Sequence, residues 1–375
     1  MVPGSFSIFA AMDGKKHLLV VGGPTASGKT SLAIRLARKY TTEILSADSR
    51  QFFREMTIGT APPSTAELAA APHHFIGHRS VTEPYSVGAY ERDALARLEA
   101  LYNEHNLAIL CGGSGLYIQA VCQGLDAFPE IPEEVRTSVE QDLNTKGIEA
   151  LQQELAVRDP DYHRKVDLAN PHRLIRAISV IRHSGKPFSF FRKENQPPRP
   201  FIPIYLALQH DRQALYDRIE SRVDQMVAAG LEEEARRLYP LRHHVALQTV
   251  GYQEWFDHFE GKSSREEAID LIKQHTRNYA KRQLTWMRRD GFWKHFRPEE
   301  TDTLLPQYLE RAIPDSWQWT YDKSSGKLTL RSQGEELAGC YLRSRKKEWY
   351  TSDFSGPAFA KKWVEHEAAS RASRP

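Results

Sequence analysis

The stretch Val20-Val21-Gly22-Gly23-Pro24-Thr25-Ala26-Ser27-Gly28-Lys29-Thr30-Ser31 constrains this chain more than any other, because Gly23 to Thr30 fits the phosphate-loop pattern G-x-x-x-x-G-K-S/T. The pattern works only between a strand and a helix. His17-Leu18-Leu19-Val20-Val21 reads as a short buried strand, and Ser31-Leu32-Ala33-Ile34-Arg35-Leu36-Ala37-Arg38 as the first turns of an amphipathic helix. Glycines at 23 and 28 allow the tight turn, the helix N-terminus adds partial positive charge, and Lys29 adds a full one. The Thr30 hydroxyl can reach a bound Mg²⁺. A ligand-free glycine turn would not need every fixed position of the pattern in this context.

Around that loop, strand and helix signals alternate as in a parallel sheet covered by helices. Strands are expected at Leu18 to Val21, Glu43 to Ser46, Leu107 to Leu110 and Ile202 to Leu208. Helices are expected at Lys29 to Lys39, Val87 to Asn103 and Leu116 to Gln123. From Asp126 to about Pro200 the β signals vanish, and Pro132 to Glu140, Lys146 to Val157 and Pro171 to His183 read as helices. The fold class is therefore α/β, with a phosphate-loop-NTPase-like parallel sheet core (17–125 and 201–300), a helical insertion (126–200) and a small C-terminal extension (301–375).

At 375 residues and 40% hydrophobic, the chain can bury such a core. A net charge of +3, from 51 basic and 48 acidic residues, makes any nucleic-acid affinity a matter of local clustering. Cys111, Cys122 and Cys340 show no C-x-x-C spacing, which argues against a zinc site or disulfide framework and for a reducing cytosol. Residues 1–16 have no basic start and no sustained apolar run, so they read as a loose tail, with Met12 a possible start; no run approaches a membrane span.

A long helix is expected to end at Gly291, opened by a capping box of Ser263 and Glu266. Within it Arg277, Lys281 and Arg288 share one face, while Leu271, His275, Tyr279 and Trp286 are read as the packing side. The basic face suits a phosphate backbone, and a solvated charged face is the plainer alternative. Asp48, just after the second strand, should stand near the phosphate loop, where it can hold Mg²⁺ through water, act as a base, or cap a helix.

Gly23 to Thr30, Asp48-Ser49-Arg50-Gln51, Ile58-Gly59-Thr60-Ala61, His73-His74-Phe75-Ile76, Gly112-Gly113-Ser114-Gly115-Leu116-Tyr117, Asn170-Pro171-His172-Arg173, Val250-Gly251-Tyr252 and Lys281-Arg282-Gln283-Leu284-Thr285-Trp286 together resemble the ordered motifs of the tRNA dimethylallyltransferases, also called tRNA isopentenyltransferases. The likeness spans roughly residues 17 to 297. It implies transfer of a dimethylallyl group from dimethylallyl diphosphate to N6 of adenine 37, in tRNAs that read codons starting with U. The phosphate loop (Gly23, Pro24, Thr25, Ala26, Ser27, Gly28, Lys29, Thr30) would then hold the diphosphate leaving group with Mg²⁺ at Thr30.

The resemblance further implies that Asp48 is the general base and that Thr25 bonds near the transferring group. An arginine clamp is implied too, with Arg218 and Arg222 the candidates and Arg222 favoured; ordinary ion pairing with Glu220 or Asp224 is the alternative. The target base must leave the anticodon-loop stack, at a cost of roughly a few kcal/mol. By resemblance it would enter a channel between core and insert, opposite the donor. Ser49, Arg50 and Gln51 would position the adenine, and Ser114, Arg136, His172, Arg173, Leu174, Ile175, Arg176, Thr249, Val250, Gly251, Tyr252, Gln253, Glu254, Arg277, Lys281 and Arg282 would touch the anticodon stem-loop. The expected partners are tRNA and the donor, for a monomer in the cytosol with no membrane.

The chain departs from the family pattern at Phe53, at Pro62-Pro63, at Ser114 and at Gly77, where a tyrosine, a lysine, a threonine and an acid are usual. The extension lies outside the resemblance. Trp317 to Tyr321 and Lys327 to Arg331 read as a hairpin, Arg343 to Lys347 with Trp349 and Tyr350 as a basic stretch of unassigned role. With only Cys340 and His366, it excludes the C₂H₂ finger of some eukaryotic members. Two other activities remain open to sequence alone: an adenylate isopentenyltransferase acting on free AMP, ADP or ATP, and a small-molecule kinase of the phosphate-loop class.

Overall fold

The computed structural model describes residues 16–192, 199–289, 293–312 and, beyond them, strands at 318–322, 327–332, 335–341 and 349–351. The N-terminal tail, the loop at 194–198, the stop at Gly291 and the basic stretch 343–347 lie outside the described residues.

Six strands, β1 (His17–Gly22), β2 (Ile44–Ser46), β3 (His73–His74), β4 (Leu107–Gly112), β5 (Ile202–Leu208) and β6 (Lys294–Phe296), form one parallel sheet in the order β3-β2-β4-β1-β5-β6. The central strand β1 is matched residue for residue on both sides, Leu19 lying between Ile109 and Ile204. Its apolar run is continuous because both faces are covered. Alternate residues serve two cores: Leu19, Val21, Ile109 and Ile204 enter one, and Leu18, Val20, Ala108 and Tyr205 the other.

Helix α1 (Lys29–Tyr40) covers the first core, and α2 (Thr65–Ala70) follows the loop after β2. Helices α3 (Val87–Glu104) and α4 (Gly115–Gln123) cover the second core with Tyr90, Leu98 and Ile118. Two compact units divide the chain, one of residues 1–122 with 198–375 and one of residues 123–197. The second unit holds α5 (Glu133–Lys146), α6 (Ile148–Arg158), α7 (Pro160–His163), α8 (Pro171–Ser184) and α9 (Phe188–Phe191), packed on Val139, Leu155, Leu174 and Ile178. Lys146 closes α5 rather than opening α6, because Gly147 at φ 81 breaks the helix between them.

The first unit continues with α10 (Arg212–Ala228), α11 (Leu231–Leu238), α12 (Gln253–Phe259), α13 (Arg265–Arg289) and α14 (Leu304–Ala312). Helices α10 to α13 share a third core around Val223, Leu231, Tyr252, Trp255 and Ile272. The expected hairpin is present: β7 (Gln318–Asp322) pairs antiparallel with β8 (Lys327–Ser332), and β9 (Glu335–Tyr341) and β10 (Trp349–Thr351) extend it into a four-stranded meander.

Two expectations for α13 are corrected. The capping box belongs to Ser264 and Glu267, whose side chains each accept the other's amide at 3.1 and 2.7 Å, because the Ser263 carbonyl is held by His258 Nδ1. The packing side is Ala268, Ile272, Ala280, Gln283 and Met287 rather than Leu271, His275 and Tyr279, which are half-buried at its margin, while Trp286 packs against the second core as expected. Part of the reason is that His275 turns aside to pair with the buried Glu254 at 2.6 Å. Among the described residues no helix is long and apolar enough to cross a membrane.

Candidate active site

At the end of β1 the chain makes the turn that the motif requires, with Ala26 at φ 62 and Gly28 at φ 88 in the left-handed region. Carbonyl oxygens aimed inward would repel an anion, and here three of the loop's carbonyls are occupied. Pro24 O accepts Ser27 N (3.3 Å) and Lys29 Nζ (3.4 Å), Arg218 Nε donates to Ala26 O (2.8 Å), and His210 Nε2 donates to Ser27 O (2.7 Å). The amides that open α1 are left without helical partners, as at the start of any α-helix, and face the end of β1. Burial lowers the pKa of Lys29, and the nearby Asp48 and Cys111 work against that shift.

A cleft of about 860 Å³ opens on this loop, lined by Ser27 to Ser31, Ile58, Ala61 to Pro63, Glu67, Arg218 and Arg222. Arg222 is half-buried and donates to Ala61 O at 3.2 Å. Burial lowers its pKa, while Asp48 and Glu67 raise it. Arg218 and Arg222 therefore both face the cleft. The alternative of pairing with Glu220 or Asp224 does not hold: Glu220 is paired with Arg277 at 2.7 Å and Asp224 with Lys273 at 2.6 Å.

Asp48 follows β2 at the carboxyl end of the sheet. Its backbone amide donates to Ser46 Oγ (3.3 Å) and its Oδ1 accepts Arg50 N (3.2 Å), fixing the turn from both ends. Ser114, after β4, accepts the Ser49 amide, and its hydroxyl is hydrogen-bonded to that of Ser49, both at 3.1 Å. Gln51 Nε2 donates to Ala61 O at 3.1 Å, so one carbonyl joins the Asp48 turn to Arg222. The site is thus a turn bearing a carboxylate beside a cationic, amide-lined cleft.

A family model described as IPP transferase matches residues 51–290. The chain belongs to the IPP transferase family. The tRNA dimethylallyltransferase of Christiangramia forsetii is 51% identical over 297 residues, which are 79% of this chain and 98% of the relative. That of Cytophaga hutchinsonii is 45% identical over 300 residues, 80% of this chain and 98% of the relative. Among solved structures, the full-length tRNA isopentenylpyrophosphate transferase of Bacillus halodurans matches with a TM-score of 0.60 and 33% identity, over 80% of this chain and 97% of that one.

Within this IPP transferase the residues named for tRNA contact divide by exposure. Lys281 and Arg282 are exposed, and Arg282 lies over the Tyr279 ring at 5.7 Å. Arg277 is engaged by Glu220, so it ties α13 to α10. Leu174 is wholly buried in the core of the second unit and is corrected to a packing residue, with Ile175 half-buried beside it. His172, Arg173 and Arg176 are exposed, Arg176 over the Phe128 ring at 5.1 Å, and Arg136 is exposed but ion-paired with Glu140 at 2.9 Å.

Four residues of the segment 249–254 are likewise corrected to packing residues. Thr249, Gly251, Tyr252 and Glu254 are buried, Val250 is half-buried, and only Gln253 is exposed. Glu254 accepts Gly251 N at 2.8 Å and holds His275; the Tyr252 hydroxyl donates to Glu234 at 2.7 Å. This glycine-tyrosine motif builds the scaffold beneath the loop 57–60. Gln51 is also turned inward, by Ala61. Of the family departures, Gly77 sits at φ 56, a left-handed conformation that glycine adopts without strain.

Three residues carry the site without having been assigned a role from sequence. Glu234 accepts the amides of Thr57, Ile58 and Gly59, His210 holds Ser27 O, and Gln283 bonds Thr25 N. A buried glutamine inside a basic helix was the available signal for the last.

Proposed function

We propose that this chain transfers a dimethylallyl group from dimethylallyl diphosphate to the exocyclic N6 of adenine 37, in tRNAs that read codons starting with U, releasing diphosphate. The observation that carries the reading is the position of Asp48, close enough to feel the charges of both Lys29 and Arg222, so that a carboxylate and an anion seat share one site. The names of the similar relatives support tRNA as the acceptor. Free AMP, ADP or ATP and the kinase reading have no comparable support.

Breaking the allylic C–O bond develops negative charge on the departing diphosphate. Lys29, Arg218, Arg222 and the first residues of α1 line the cleft in which that charge would develop, so donors held in place there would stabilise the transition state with little reorganisation. The N6 amine is a weak nucleophile because its lone pair is delocalised into the ring. As the C–N bond forms, Asp48 accepts the N6 proton, which keeps the acceptor neutral. Thr25, on the same loop, would hydrogen-bond near the transferring group.

Mg²⁺ fits the donor set in one respect: the Thr30 hydroxyl and the Glu67 carboxylate that line the cleft are hard oxygen ligands. Among the described residues no group of three or more His, Cys, Asp or Glu could hold a metal, so diphosphate and water would complete the shell. When bound, the ion would neutralise leaving-group charge. We place the protein in the cytosol as a monomer.

The test is to give purified protein labelled dimethylallyl diphosphate and unmodified tRNA bearing A36-A37-A38. Label is expected in the tRNA and absent from AMP; label in AMP, or phosphoryl transfer from ATP, would overturn the reading.

A further inference from the structure

Gln283 follows the exposed pair Lys281 and Arg282 on α13, yet it is 5% exposed. Its Oε1 accepts the Thr25 amide at 3.0 Å, and its Nε2 donates to the Gly113 carbonyl at 2.9 Å. A side chain at Gly113 would put Cβ 2.1 Å from Nε2, so that glycine leaves the space in which the carboxamide lies. One side chain thereby bolts the phosphate loop to the end of β4.

We infer that Gln283 is a positioning residue for the donor's diphosphate, acting through Thr25; the inference rests on the reading above that this loop holds the diphosphate. The other tethers, Arg218 and His210, each take a loop carbonyl. Gln283 takes an amide, which removes Thr25 N from the set available to the anion and leaves the amides at the start of α1 to bind it.

The chemistry is specific to a carboxamide of this length. One end must accept from an N–H and the other must donate to a C=O; the Gly113 carbonyl is buried with it and Thr25 is half-buried. Glutamate would set a carboxylate oxygen against the Gly113 carbonyl and bring negative charge toward the diphosphate. Methionine keeps the volume but leaves an amide and a carbonyl unpaired, each of which is costly in a buried site. Asparagine is one methylene too short to span the gap.

The experiment compares wild-type full-length protein with Gln283→Met, Gln283→Glu and Lys281→Ala. Binding of inorganic pyrophosphate with MgCl₂ is measured by calorimetry, alongside steady-state KM for donor and for tRNA. Both Gln283 variants are expected to weaken pyrophosphate binding and raise the donor KM by about tenfold, the effect of one broken buried hydrogen-bond pair, with the tRNA KM changed less than about twofold. Lys281→Ala should show the reverse split. Wild-type affinity for pyrophosphate in both Gln283 variants, or donor and tRNA KM rising together, would overturn the inference. Wild-type protein that itself binds no pyrophosphate would instead overturn the reading on which it rests. Hydrogen exchange on ligand-free wild type tests the clamp without any variant: the Thr25 amide should be protected, and free exchange there would contradict the clamp.

Discussion

The Tyr252 hydroxyl donates to Glu234 Oε1 at 2.7 Å, and the same buried carboxylate accepts the amides of Thr57, Ile58 and Gly59. The loop that lines the cleft beside the phosphate loop is thus hung on one acidic side chain. Glu234→Gln replaces an acceptor oxygen by a donor facing N–H groups, and should cost about 2–3 kcal/mol in urea unfolding. Tyr252→Phe removes one bond and should cost about 1 kcal/mol. Equal, negligible losses for both would contradict this role for Glu234.

Lys281 and Arg282 stand exposed with no carboxylate partner among the described residues, whereas Arg277 is held by Glu220. Alanine at 281 or 282 should weaken tRNA binding and lower the slope of log K against log salt by about 1 for each phosphate no longer neutralised. Arg277→Ala should act mainly on stability. A salt slope unchanged by both exposed-site variants would contradict the assignment.

Burial lowers the pKa of Lys29 from its ordinary 10.5. Between the lowered folded-state value and 10.5 the unfolded chain retains a proton that the folded protein has released, so this residue makes stability rise with pH in that window. Diphosphate favours the ammonium, so binding should weaken as pH rises through the folded-state pKa and should take up a proton above it. Calorimetry in buffers of different ionisation enthalpy reads that uptake directly. Lys29→Met should abolish it, and buffer-independent enthalpies in wild type at alkaline pH would contradict it.

Cys111, whose Sγ points to the Lys29 carbonyl at 3.7 Å, has its thiol pushed up to about 12 by burial. Native protein should therefore resist iodoacetamide at Cys111 near pH 8, and react there once unfolded in urea. Mass mapping of the modified peptide checks this; rapid alkylation in the native state would contradict the burial.

Much of the fold was legible in sequence for a simple reason: elements such as Ile202–Leu208 and Lys29–Tyr40 carry their burial pattern in consecutive residues. The two-residue strand His73–His74 and the short Lys294–Phe296 do not, being too brief for a period to register. At the site, the phosphate loop and Asp48 were legible because local spacing defines them. Glu234, His210 and Gln283 were not, since each acts on backbone groups 170 to 258 residues away, brought near only by the tertiary fold. Tyr252 and Leu174 show the opposite error. A residue inside a functional motif can serve as the packing beneath it.

The central claim is that Asp48 accepts the N6 proton while the phosphate loop grips the departing diphosphate. Single-turnover transfer by Asp48→Asn, set beside donor-analogue binding to the same protein, tests it most directly. The rate should fall by about 10²–10⁴-fold, while binding of the anionic donor stays the same or tightens, because a negative charge near Lys29 and Arg222 is gone. A rate within a few-fold of wild type, or donor binding weakened in the same proportion as the rate, would contradict it.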